Sequence, residues 1–245
     1  MCGSCGCSDH HHHADEGKLS HEQMHALGIE HHHHQKQSIV EVEKDILSHN
    51  NSMAERIRGY LEAKHIYAIN LVSSPGSGKT SLLEATIKAI KDKVCVSVIE
   101  GDQRTSNDAD RIRDLGVNTV QINTETGCHL EADEIYHTVK QMNLPDSSLL
   151  FIENIGNLVC PAMFDLGENE RVVMISVTEG DDKPLKYPFM FESAQICIIN
   201  KIDLLPYLQC DIETIKQNAL SINPHLRFFE LSVFQGIGME NWVSY

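Results

Sequence analysis

The run Ser73-Ser74-Pro75-Gly76-Ser77-Gly78-Lys79-Thr80 has the residue types of a phosphate loop: small residues, then a lysine, then a hydroxyl. It follows the apolar run Ile66-Tyr67-Ala68-Ile69-Asn70-Leu71-Val72 and opens the amphipathic run Ser81 to Ile87. A strand, a small-residue loop and a helix in that order aim backbone N–H groups at phosphate oxygens. The Lys79 ammonium then neutralises β/γ charge, and the Thr80 hydroxyl reaches Mg²⁺. Gly76, Ser77, Gly78, Lys79, Thr80 and Ser81 are therefore the candidate phosphate-binding residues. The usual pattern begins with glycine, and that position here is Ser73.

Three further segments supply the rest of a nucleotide site. Leu149-Leu150-Phe151-Ile152-Glu153 is an apolar strand ending in a carboxylate, a second anchor for Mg²⁺ or its waters, with Gly156 three residues on. Asp102, in Val98-Ile99-Glu100-Gly101-Asp102-Gln103, ends another strand and is a candidate for binding a magnesium water or positioning the attacking one. Lys79, Thr80, Asp102 and Glu153 are the candidate catalytic residues. Asn200-Lys201-Ile202-Asp203 follows an apolar strand and chooses the base. The Asp203 carboxylate can accept from both N1–H and the exocyclic amine of guanine, a donor pair that adenine lacks, so the expected nucleotide is GTP/GDP. Lys201 can lie along base and sugar while Asn200 ties the loop to its neighbours. Ser232-Val233 offers a backbone N–H for guanine O6. Asp108 and Asp110 read as a capped, solvated helix start.

Cysteines and histidines imply metal chemistry. Cys2, Cys5 and Cys7 place three thiols within six residues, with glycines between them. Thiolates with the amino group suit Ni²⁺ or Cu²⁺, and four thiolates would suit Zn²⁺. Residues 1–37 also hold ten of the fifteen histidines, a composition that fits further borderline metal and poorly fits an expression tag. Cys128-His129 and Cys160 form a second set. Two readings stand for it: buried structural cysteines, or a site where both segments leave strand ends and converge near the γ-phosphate.

These residues need elements to position them. Val-, Ile- and Leu-rich runs at 66–72, 94–99, 118–122, 148–153, 171–177, 195–200 and 226–231 read as strands covered on both faces. Helical runs are expected at 79–91, 107–115, 130–142, 184–192, 211–221 and 238–243. The expected fold is α/β: a doubly wound, mostly parallel sheet with its ligand at the carboxyl ends of the strands. Residues 1–37 form a Cys/His-rich tail, 38–65 a helical segment of one helix or two broken near His49-Asn50-Asn51, and 66–245 the nucleotide domain. Cys95 and Cys197 are expected as buried small hydrophobes, and Cys210 is undecided. With 35 acids against 20 bases, the net charge of −15 argues against nucleic acid and anionic membranes. No run approaches the roughly 18 apolar residues of a membrane span. The Cys-, Gly- and His-rich start is no signal peptide, so a cytoplasmic location is expected.

Taken together these motifs resemble the hydrogenase maturation GTPase family that delivers nickel (HypB), of the SIMIBI type of phosphate-loop GTPases. The likeness rests on Cys2-x-x-Cys5-Gly6-Cys7, the run Ser73 to Thr80, Glu100-Gly101-Asp102-Gln103, Gly127-Cys128-His129-Leu130, Glu153 to Pro161 and Asn200 to Asp203. It implies a tight nickel site at Cys2, Cys5 and Cys7. It also implies a weaker nickel or zinc site at Cys128, His129 and Cys160, at a nucleotide-promoted homodimer interface. Slow, switch-like GTP hydrolysis follows from the same likeness. So do three partners: a companion zinc-containing maturation protein, a proline-isomerase-like nickel chaperone and the hydrogenase large subunit precursor. The related urease nickel GTPase carries Cys-Pro-His instead, where this chain has Cys128-His129 and Cys160-Pro161. Nickel storage is the remaining alternative for the tail.

Overall fold

The computed structural model describes residues 39–102, 107–124 and 127–245. Helix α1 (Ile39–Ala63) leads into β1 (Tyr67–Ser73), α2 (Lys79–Ile90), β2 (Val96–Asp102), α3 (Asn107–Arg113), β3 (Asn118–Asn123), α4 (Ala132–Gln141) and β4 (Leu149–Gly156). The second half runs β5 (Glu170–Ser176), α5 (Lys183–Lys186), α6 (Pro188–Ser193), β6 (Ile196–Asn200), α7 (Ile212–Ile222), β7 (Arg227–Glu230) and α8 (Met239–Ser244).

Seven strands form one sheet in the order β3-β2-β4-β1-β5-β6-β7, and every strand pair in it is parallel. Parallel strands need crossovers, and α2 to α7 lie in them, while α1 and α8 flank the sheet at the two ends of the described chain. One face carries α1 and α4, packed through Ile57, Leu61, Ile135 and Val139 onto Ala68 and Ile152. Beside them, Met190 and Phe191 of α6 and Ile215 and Ala219 of α7 pack on Val173, Ile175, Cys197 and Ile199. The opposite face carries α2, α3 and α8, through Leu82, Leu83, Ile87, Ile112 and Trp242 onto Leu71, Phe151 and Met174. Burial on both faces accounts for strands without polar alternation. Because all strands run one way, the carboxyl ends of β1, β2, β4 and β6 lie at one end of the sheet. Among the described residues, no helix is long and apolar enough to cross a membrane.

One open alternative is decided and two local expectations are corrected. Helix α1 runs unbroken through His49-Asn50-Asn51. Asn50 is buried, its Nδ2 donating to the Asp165 carbonyl at 2.8 Å and its Oδ1 accepting from the Ala132 N–H at 2.9 Å. Those bonds recruit a residue of weak helix propensity into the helix. The run 184–192 is two helices parted at Tyr187-Pro188, since proline lacks an N–H and moves the preceding residue out of the helical region; Tyr187 has φ −129° and ψ 54°. Cys95 is exposed, one residue before β2 begins. Cys197 is buried as expected.

Candidate functional site

Strand β1 ends at Ser73 and α2 begins at Lys79, so the small-residue run is a tight loop between them. Gly76 has φ 74° and Gly78 φ 101°, the left-handed region that glycine enters without a Cβ clash. Gly78 is doubly constrained: a Cβ there would lie 2.7 Å from Asn200 Nδ2. Ser73, where a glycine is usual, is buried and donates its hydroxyl to the Ser74 carbonyl at 2.8 Å. The loop borders a cleft of about 460 Å³ lined by Gly76 to Ser81, Asp102, Asp108, Arg111 and Gly156.

Beneath the loop, Thr80 Oγ1 donates to Glu153 Oε1 at 2.7 Å, and Lys79 Nζ lies 3.6 Å from the same oxygen. Glu153 is buried, and its Oε2 has no hydrogen-bond partner among the described residues. Burial pushes its carboxyl above the usual range, against the opposing pull of Lys79 and Thr80. That donor set, a hydroxyl with one shielded and unpartnered carboxylate oxygen, fits a Mg²⁺ ion or its waters. Glu100 pairs with Glu153 across β2 and β4. It is 3 % exposed, and burial first, then the Glu153 and Asp102 charges, push its carboxyl up to about 8. Sequence reasoning quoted Glu100 without giving it a role. Asp108 and Asp110 both stand solvated in the first turn of α3, pairing with Arg111 at 3.0 Å and with Arg113, and Asp108 also lines the cleft. Arg111 was missed, because a helix-surface arginine looks like any solvated charge.

The Asn200-Lys201-Ile202-Asp203 segment meets the phosphate loop directly. Asn200 Nδ2 donates to the Ser77 carbonyl at 2.8 Å, and Lys201 Nζ donates to the Gly76 carbonyl at 2.7 Å. Asp203 Oδ1 is shielded from water and has no partner among the described residues, the condition of an acceptor awaiting a donor. The expectation for Ser232-Val233 needs correction. The Val233 N–H donates to Asn200 Oδ1 at 3.2 Å and the Ser232 N–H to the Ile237 carbonyl at 3.0 Å, so both donors are engaged within the fold.

On the other face, Cys128, His129 and Cys160 bring one ligand atom each to within 4.8 Å of one another. Cys128 Sγ lies 2.8 Å from Cys160 Sγ, beyond the ~2.05 Å of a disulfide bond, and 3.6 Å from His129 Nδ1. Both thiols are half-buried, which disfavours the reading of buried structural cysteines. The Cys160 thiol, first of all, and burial hold the Cys128 thiol above its ordinary range. Burial lowers the His129 pKa, favouring the neutral imidazole that binds metals. His129 Nε2 is shielded and has no hydrogen-bond partner among the described residues, with Glu131 Oε1 3.7 Å away. The His129 ring lies against that of Phe164, centroids 3.9 Å apart. Asn157 Nδ2 donates to the Cys128 carbonyl at 3.3 Å, tying the two ligand arms together. Two thiols and an imidazole suit Ni²⁺ or Zn²⁺. Cys2, Cys5 and Cys7 lie outside the described residues.

A phosphate loop, an acidic strand end beneath it and the Asn200 to Asp203 segment braced against it, on an all-parallel sheet, define a phosphate-loop nucleotide-binding domain. The model of the CobW/HypB/UreG nucleotide-binding domain matches residues 67–230. A hydrogenase maturation factor HypB of Rhizobium leguminosarum bv. viciae is 53 % identical over 210 residues, covering 86 % of this chain and 70 % of that protein. The crystal structure of HypB from Archaeoglobus fulgidus superposes with a TM-score of 0.75 at 42 % identity, covering 80 % of this chain and 96 % of that one. HypB from Helicobacter pylori, solved in complex with nickel, gives 0.76 at 38 % identity over 80 % of this chain and 92 % of its own. The chain belongs to the HypB family of hydrogenase maturation factors.

Proposed function

We propose that the chain binds nickel and hydrolyses GTP slowly to hand that nickel on during maturation of the hydrogenase large subunit. The observation carrying this reading is a shared strand end: Glu153, under Lys79 and Thr80, is the fourth residue before Asn157, which bonds the Cys128 carbonyl. Gly76, Ser77, Gly78, Lys79, Thr80 and Ser81 hold the phosphates. Thr80 and Glu153 would hold Mg²⁺, which when bound offsets phosphate charge, while Asp102 orders water at the cleft. Asn200 and Lys201 brace the base loop against the phosphate loop, and Asp203 reads guanine. Cys128, His129 and Cys160 take nickel or zinc, and Cys2, Cys5 and Cys7 take nickel tightly. GTP closes a homodimer around the inner site, and hydrolysis opens it.

The companion maturation protein, the isomerase-like chaperone and the large subunit precursor then receive or supply the ion in the cytoplasm. The ten tail histidines add nickel buffering. One experiment tests the core of this: nickel affinity and dimerisation measured with GDP and with a non-hydrolysable GTP analogue. Both should rise or fall together with the nucleotide, and indifference to it overturns the reading. In parallel, Lys79→Ala should lower GTP turnover by about 10²–10³-fold, the usual loss of one preorganised charge stabiliser.

A further inference from the structure

Asn70 and Asn154 stand in the middle of the sheet, 0 % and 1 % exposed, among otherwise aliphatic neighbours. A carboxamide buried there costs about 1–3 kcal/mol unless its hydrogen bonds are made. Here they are made in a chain. Asn154 Nδ2 donates to Asn70 Oδ1 at 3.4 Å, and Asn70 Nδ2 donates to Glu168 Oε1 at 3.1 Å. Arg171 Nε donates to that same oxygen at 2.9 Å, within a buried ion pair.

Both ends of the chain reach a ligand arm. Asn154 Oδ1 accepts from the N–H of Leu130, the residue after His129, at 3.3 Å. Arg171 donates to the carbonyls of Ala162 at 3.1 Å and Phe164 at 2.8 Å, just after Cys160, and the Phe164 ring lies on His129. The Asn154 end of the chain also adjoins the nucleotide side through the backbone of β4. Consecutive strand residues face opposite sides of a sheet. Glu153 therefore turns to Lys79 and Thr80 while Asn154 turns to the arms, and one peptide step separates the two.

We propose that Arg171, Glu168, Asn70 and Asn154 form a buried polar relay that sets the separation of the Cys128-His129 and Cys160 arms and makes it follow the nucleotide state at Glu153. All four are positioning residues. The inference rests on the reading that metal and nucleotide bind where proposed above. An aliphatic core at these places would pack without needing partners, but it would lose the bonds from Leu130 to Asn154 and from Arg171 to Ala162 and Phe164.

The test uses the full chain with Cys2→Ser, Cys5→Ser and Cys7→Ser, and follows nickel–thiolate charge-transfer absorption, to which the tail histidines are silent. Nickel affinity is measured with GDP and with a non-hydrolysable GTP analogue in three backgrounds: this parent, Asn154→Leu and Arg171→Lys. Leucine keeps the approximate shape of Asn154 without its hydrogen bonds. Lysine keeps the charge beside Glu168 but cannot hold two carbonyls, and it serves alone if Asn154→Leu does not fold. The parent ratio of affinities should be about fivefold or more, and in the variants it should fall to within about twofold of one, with GDP affinity retained. Variants that weaken nickel equally in both nucleotide states, leaving the parental ratio intact, overturn the relay alone. A parent with no ratio overturns the proposed function, and the relay with it.

Discussion

The nucleotide cleft and the Cys/His cluster sit at the same end of the sheet but are built on different principles. The cleft is centred on one contiguous stretch, Pro75 to Ser81, whose backbone turn two left-handed glycines, Gly76 and Gly78, permit. The cluster draws its side chains from residues 128, 129 and 160, on segments braced by side chains from α1, β1, β4 and β5. Their polar groups differ in the same way. The cleft side keeps shielded acceptors without partners, at Glu100 Oε2, Glu153 Oε2 and Asp203 Oδ1. On the cluster side the supporting groups are bonded to one another, and the shielded unpartnered atom there, among the described residues, is His129 Nε2. A site read by backbone needs only a permissive loop. A site read by side chains needs a scaffold that fixes their separation.

Arg171→Met should break that difference most severely. Removing one partner of a buried ion pair leaves the other charge uncompensated, which costs about 3–5 kcal/mol. Glu168 would be that charge, with a side chain only 6 % exposed. Urea unfolding should show the loss, while nucleotide affinity of the folded fraction stays near that of the parent. Nucleotide affinity falling in step with stability would show that the two regions share one scaffold.

Gly78→Ala should strike the opposite region. The φ of 101° strains any residue bearing a Cβ, and the Cβ would displace Asn200 Nδ2 from the Ser77 carbonyl. Backbone strain of about 1–2 kcal/mol and one buried hydrogen bond left open together predict a loss of about 2–4 kcal/mol in GTP binding. Titration calorimetry with GTP checks it, and nickel affinity of the GDP-free protein should not change. Equal losses of both ligands would again merge the regions.

The same contrast explains what was legible beforehand. The phosphate loop and Asn200 to Asp203 are local patterns, each following its own strand, so their meaning lies within a few residues. The supports of the cluster carry no such signal. Asn50 looked like a break in α1 because helix propensity counts against it, and its partner Asp165 is 115 residues away. Asn70 sat unremarked in an apolar run, with Glu168 98 residues away. Cys128-His129 and Cys160 were visible as ligand types, but only tertiary structure brings the two sulfurs together. Arg111 and Asp108 were passed over for the reverse reason. Charges on a short helix are ordinarily solvated, and only the tertiary placement of α3 brings these two to the cleft.

Glu100→Gln sharpens the account of unpartnered acids. The folded carboxyl holds its proton up to about 8, whereas the free side chain releases it near 4.5. Between those values the folded chain binds more protons than the unfolded one, so the contribution of Glu100 is full below about 4.5 and is lost as pH rises to about 8. A permanently neutral glutamine removes that loss. Urea midpoints at pH 5 and pH 8 should fall further in the parent than in the variant, by an amount equivalent to about 1–3 kcal/mol. Parallel declines would mean that Glu100 finds a partner as the pH rises.

Arg111→Ala should have the smallest effect, and its size tests how far the cleft is a backbone site. Arg111 is half-exposed at the rim, its Nη2 3.4 Å from Ser81 Oγ and 3.0 Å from Glu84 Oε2. Water and salt compete for such a cation, so its pull on phosphate is worth about 0.2–1 kcal/mol, a change of about 1.4–5-fold in affinity. A triphosphate carries more charge than a diphosphate, so GTP should weaken more than GDP, and 0.5 M salt, roughly, should erase the difference by shortening the screening length. GTP and GDP affinities measured at low and high salt decide it. A hundredfold loss that survives salt would mean the guanidinium binds the γ-phosphate directly, and the cleft, like the cluster, would then depend on a side chain brought in from another element.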